Sequence, residues 1–98
     1  MMQEQLLIGH ITRLQIFKVP EFGTRASFQL ECPGQGSVAC CVAGDVAREF
    51  VAYCREGDIV AVTGASEPRP STASSKTPWA GRFRVRTLRV LEVVWVAA

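Results

Sequence analysis

The sequence predicts an all-β domain, a five-stranded barrel with one helix between its third and fourth strands, and three observations carry that expectation. Thr24 to Cys32 alternates, with Ala26, Phe28 and Leu30 on one face and Arg25, Ser27, Gln29 and Glu31 on the other, which is the period of a half-buried strand. Apolar and β-branched runs recur along the chain and are broken by Gly and Pro clusters. One segment alone, after Gly44, spaces its apolar residues as a helix does: Val46, Phe50 and Tyr53. The 98 residues, 48% hydrophobic and 20% charged, are enough for one core and too few for two, so residues 1–98 are read as a single domain.

Leu6 to Gln15 reads as the first strand, with Gly9 marking a bend or bulge of the kind a small barrel needs at its corners. Phe17 to Gly23, which contains Pro20, reads as a turn or loop. The second strand is the alternating Thr24 to Cys32. Pro33-Gly34-Gln35-Gly36 is a tight connection, so Ser37 to Ala43 is expected to be its antiparallel neighbour. Cys40 and Cys41 are adjacent there and should point to opposite faces. Asp45 is the expected helix N-cap and Gly57 the residue that ends the helix. Asp58 to Gly64 is the fourth strand, and Arg82 to Val96 the fifth. Between them residues 68–81, rich in Pro and Ser, form a long loop, and loops of that length are usually functional or disordered. Strand, strand, strand, helix, strand, strand is the order of the OB-fold, a five-stranded Greek-key barrel that binds oligonucleotides on its second and third strands and two loops.

The sequence resembles the bacterial single-stranded-DNA-binding protein (SSB) family along nearly its whole length. The resemblance lies in Leu6 to Arg13, in Arg25 to Leu30, in Gly81 to Val85 and above all in Ala47 to Gly64. In that last stretch a helix ends in an aromatic, followed by a basic residue, a Gly and a V-x-V-x-G strand. Several features depart from the family. The connection between the second and third strands is short. The third strand carries Ser37 and Ala43 where stacking aromatics are usual. The chain stops at Ala98 with no acidic-tipped tail. These departures bring it closer to short, tail-less relatives such as primosomal replication protein N. The resemblance implies binding of single-stranded DNA, with RNA as a second candidate ligand, and contact with replication or recombination proteins. It also implies a homodimer through the first strand, Gln5 to Ile11, whose Leu6, Leu7, Ile8 and Ile11 are apolar on both faces.

Charge supports a polyanionic partner. The formal net charge is +2, but residues 1–60 hold five basic and seven acidic side chains, whereas residues 61–98 hold six basic and two acidic ones. Single-stranded DNA requires cations along the phosphates and flat groups under the bases. Arg82, Arg84 and Arg86 alternate and should share a strand face, either as a phosphate track or as an ordinary solvated face. Trp79, near Lys76, either stacks a base or anchors its own loop. Phe17 and Phe22 flank the first loop with Lys18, and each either stacks a base or closes the end of the barrel. Arg25 lies on the outer face of the second strand. Trp95 reads as core or subunit interface.

Catalysis is not expected. His10 is the only histidine and has no nucleophile partner. Glu21, Glu31, Glu56 and Asp58 form no acid–base pair, and no P-loop, dinucleotide fingerprint or nucleophile elbow occurs. Cys32, Cys40, Cys41 and Cys54 match no zinc spacing, so no metal and no cofactor is expected. Reduced cysteines, an N-terminus without a basic, apolar leader and no run long enough to span a bilayer point to a cytoplasmic protein. The alternative function is that of an OB-fold interaction subunit with weak or no nucleic-acid binding, favoured by the scarcity of aromatics on the third strand.

Overall fold

A computed structural model describes residues 4–21, 23–66 and 82–91. The strands are β1 (Gln5–Val19), β2 (Gly23–Cys32), β3 (Gly36–Ala43), β4 (Ile59–Ser66) and β5 (Phe83–Val90), and the one helix among the described residues is α1 (Gly44–Tyr53). They close a barrel in the order β1-β2-β3-β5-β4. All neighbours are antiparallel except β3 and β5, which meet in parallel through Cys40↔Phe83 and Cys41↔Arg84.

The first strand is longer than its sequence suggests because it serves two neighbours. Its start pairs with β4, from Gln5↔Gly64 to His10↔Ile59, and its remainder pairs with β2, from His10↔Glu31 to Val19↔Gly23. The register shifts between Thr12 and Gln15, where Arg13 has a φ of 51°. This bulge bends the strand around the barrel. It also lifts the Leu14 N–H out of the ladder, and that N–H donates instead to Glu56 Oε1 at 2.7 Å. Gly9 is required by the closure: a Cβ there would lie 2.3 Å from the Glu31 carbonyl oxygen. Gly64 is required in the same way, its Cβ falling 2.0 Å from the Arg84 carbonyl oxygen. The bend thus lies at Arg13, whereas Gly9 supplies room for a neighbouring strand.

The inward positions follow the alternation. Leu7 and Ile11 of β1, Ala26, Phe28, Leu30 and Cys32 of β2, Cys40 and Val42 of β3, Val60 and Val62 of β4, and Phe83 and Val85 of β5 are buried. The helix closes one end with Ala47 and Phe50, and the Phe50 ring stacks on Phe28 with centroids 4.9 Å apart and planes 13° from parallel.

Two expectations for the helix ends are corrected. Ala43 occupies the N-cap, with no side-chain cap bond, and Asp45 lies inside the first turn. There it accepts a hydrogen bond from Arg48 at 2.7 Å and sits at the favourable end of the helix dipole. The helix ends at Tyr53, with Cys54 N–H donating to Phe50 O, and Gly57 belongs to the following turn. That turn is tied to β1, because Gly57 N–H donates to Ile11 O and Ile11 N–H to Asp58 O, at 2.8 and 3.0 Å. The apolar stripe is also shifted: Tyr53 is 75% exposed, and Val46, Ala47, Phe50 and Cys54 make the contact with the core.

Cys40 and Cys41 do face opposite ways. Cys40 is fully buried, and burial pushes its thiol up to about 12, whereas Cys41 is half-buried on the outside. All four cysteines are unbridged. No described helix is long and apolar enough to cross a membrane.

Candidate functional site

The strand registers assemble the outer face of the barrel into rows. Phe17, Arg25 and Ala43 are direct cross-strand partners, and Gln15, Ser27, Cys41 and Arg84 form the next row. Centrally the side chains are small: Ala39, Cys41 and Ala43 on β3 and Ser27 on β2. Ser27 occupies an outward position yet is only 2% exposed, so neighbouring groups cover it. Phe17 and Arg25 are half-buried at one margin, and Arg84 is exposed at the other.

The opposite end of the face is negative and internally satisfied. Glu31 accepts hydrogen bonds from Ser37 Oγ at 2.5 Å and Thr12 Oγ1 at 3.2 Å, which links β1, β2 and β3. The Ser37 hydroxyl, helped by Thr12 and by the nearby positive charge of His10 and Arg13, holds the Glu31 carboxyl below its usual value. Positive charge from Arg25 and Arg84 thus lies at the Phe17–Ala43 end, and the one carboxylate of the β2 face lies at the hairpin end.

The three alternating arginines are not one uninterrupted stripe. Arg82 is half-buried and Arg84 exposed, with the intervening Phe83 turned into the core. The β4–β5 ladder then slips, pairing Val85 with Gly64 and Thr87 with Thr63, so Arg86 stands in the bulge without a ladder partner. It is bound to the Glu4 carboxylate in an ion pair that crosses from the start of β1 to β5. Lys18 is exposed and opposite Thr24, one position away from the row of Phe17. Phe22, Lys76, Trp79 and Trp95, and the loop 68–81, lie outside the described residues.

Beside this face is a groove of about 510 Å³ lined by Ala43, Val46, Arg84, Val85, Arg86 and Glu4, among others. It is continuous with the face, since Ala43 and Arg84 belong to both. The sequence gives no signal for Glu4 in this place, nor for the Thr12–Glu31–Ser37 cluster. Their partners are distant in the chain and become neighbours only through the strand register. Among the described residues, no group of three or more His, Cys, Asp or Glu side chains is placed to hold a metal ion.

Comparison of the whole shape places the barrel among known structures. It superposes on the small single-stranded DNA-binding protein of Streptomyces coelicolor with a TM-score of 0.72 at 13% identity, over 91% of this chain and 92% of the other. It matches the second single-stranded DNA-binding protein of Mycobacterium smegmatis at 0.71 and 18% identity, over 97% and 98%. The barrel is an OB-fold. A third OB-fold of similar shape is the mitochondrial single-stranded DNA-binding protein of S. cerevisiae, at 0.63 and 14% identity, over 93% and 96%. No protein-family model and no curated protein sequence matches the chain.

Proposed function

We propose that this OB-fold is a non-catalytic single-stranded DNA-binding module acting in replication, recombination or restart. The observation that carries the proposal is the charge layout of the outer face. Arg25 and Arg84 flank a small-residue strip beside Phe17, and the Glu31 carboxylate is confined to the far end by its own hydrogen bonds. OB-folds offer this same face, with the connections between strands 1 and 2 and strands 4 and 5, to oligonucleotides. Phe17, Lys18 and Phe22 stand by the first connection. Lys76 and Trp79 lie in the second, which Arg82 follows, and Arg84 and Arg86 come after it on β5. The cations would follow the phosphates while Phe17, Phe22 or Trp79 stacks the bases.

Assembly as a homodimer through the first strand is part of the same proposal. Leu6 is 60% and Ile8 48% exposed, and both line a hollow of about 360 Å³ with Cys32 and Pro33. Large aliphatic side chains at a strand edge are suited to pairing with a second copy.

The test is a salt titration of oligo-dT binding by fluorescence anisotropy. Affinity should fall with a log–log slope of roughly −0.7 per phosphate neutralised. Arg84→Ala should weaken binding to all sequences alike and make the slope shallower by about one such unit. Absence of binding at low salt removes the proposal. It would then favour the second reading, a protein-docking subunit, which rests on the outward side chains of β3: Ser37, Ala39, Cys41 and Ala43 include no aromatic.

A further inference from the structure

The ion pair between Glu4 and Arg86 lies in the groove that continues the candidate DNA face past Ala43 and Arg84. Arg86 projects there because the β4–β5 bulge leaves it outside the ladder. Glu4 reaches it because the next residue, Gln5, pairs with Gly64 at that same bulge. Thr63 and Thr87, hydrogen-bonded to each other across β4 and β5, flank the pair, and Thr63 also bonds the Glu4 carboxylate. Hydrogen bonding to Arg86 lowers the carboxyl's affinity for protons, so Glu4 is a full anion near neutral pH. Both side chains remain open to solvent, at 45% for Glu4 and 67% for Arg86. An exposed pair of this kind is weak and exchangeable.

We infer that Glu4 is an acidic gate on the phosphate path: its carboxylate occupies the Arg86 guanidinium until a backbone phosphate displaces it. The inference rests on the proposed DNA-binding reading and adds a term that tunes it. A phosphate arriving at Arg86 must first release a carboxylate. Arg86 therefore contributes less to affinity than its charge suggests, and Glu4 holds binding below what the face could reach.

The experiment compares wild-type protein, Glu4→Gln, Arg86→Ala and the double variant in oligo-dT salt titrations, with thermal melts to check folding. Glu4→Gln should tighten binding about two- to fivefold at low salt, the range of an exposed ion pair. It should also steepen the slope by roughly 0.7, one more phosphate. Arg86→Ala should weaken wild-type binding by less than it weakens that of Glu4→Gln, in which no carboxylate occupies the guanidinium, and Glu4→Gln should give no gain in its presence. Unchanged affinity in Glu4→Gln, or a gain that persists without Arg86, overturns the gate and leaves the DNA reading intact. Inorganic polyphosphate separates the two ideas. If oligo-dT binds no form but polyphosphate binds Glu4→Gln more tightly than wild type, the gate stands and the DNA reading falls. If polyphosphate also shows no difference, both fall.

Discussion

Replacing Phe50 with alanine tests how the helix holds the barrel shut. Phe50 is 1% exposed and lies flat on Phe28, which is equally buried in the barrel interior. Truncation removes the ring's transfer energy and leaves a cavity that β2 and the helix cannot both collapse into, a loss of about 3–5 kcal/mol. The stacked partner adds ~0.5–1.5 kcal/mol that alanine cannot replace. A domain of this size has a total stability of about 5–15 kcal/mol, so the variant should sit near the edge of folding. In urea its midpoint should fall sharply with an unchanged slope, and its Tm should drop by roughly 4–8 °C for each kcal/mol lost. Phe50→Leu, which keeps most of the volume, should remain folded and give an intermediate value. The matched control is Tyr53→Ala. Helical spacing alone puts Tyr53 on the same stripe as Phe50, yet it is 75% exposed, and its loss should shift stability by no more than ~0.5 kcal/mol. Comparable losses for the two variants, or a Phe50→Ala loss under about 1.5 kcal/mol, would refute the docking described for α1.

Gly9→Ala should be as damaging as a core truncation although it adds only a methyl group, because the Glu31 carbonyl stands 2.3 Å from the new Cβ; circular dichroism and urea titration would show it, and a well-folded variant would contradict the barrel closure. The Glu31 carboxyl is lowered first by the Ser37 hydroxyl, so its contribution is complete above the usual carboxylate value of 4.5 and is lost as pH falls through the lower folded value. Ser37→Ala should therefore be less stable than wild type at pH 7, with the gap closing below pH 4.5. Cys40, its thiol pushed up to about 12 by burial, should react with an alkylating agent only on unfolding, whereas Cys41, half-buried on the outside, should be modified faster than Cys40 in the native protein; mass spectrometry of timed samples distinguishes them.

The features of the chain that were legible from sequence are those set by local periodicity. Ala26, Phe28 and Leu30 alternate against Arg25, Ser27 and Gln29 and do face in and out as the pattern requires. The helix between β3 and β4 and the opposed Cys40 and Cys41 follow from the same reasoning. What escaped depended on contacts between distant residues. The first strand runs on to Val19 because Glu56, far along the chain, accepts the N–H that the bulge exposes. Asp45 has the right chemistry for an N-cap, but β3 runs directly into the helix and places Ala43 there. Arg25 and Arg84 could be nominated as cations from sequence. That they flank one strip, and that Arg86 is engaged by Glu4, follows from a register and a bulge that no local pattern encodes.

His10 pairs with Glu31 on one side and Ile59 on the other, so β1 is shared between two halves of the barrel. That sharing orders the folding of the chain in time. The β1–β2–β3 meander can form from contacts close in sequence, but the first residues of β1 find no ladder partner until residues 59–64 have been made and brought back. Loop-closure entropy must be met before that pairing gives anything in return, which makes it the slow event. During synthesis Leu6 and Ile8 emerge before β4, the strand they pair with, and wait for it, which leaves exposed aliphatic side chains open to premature association.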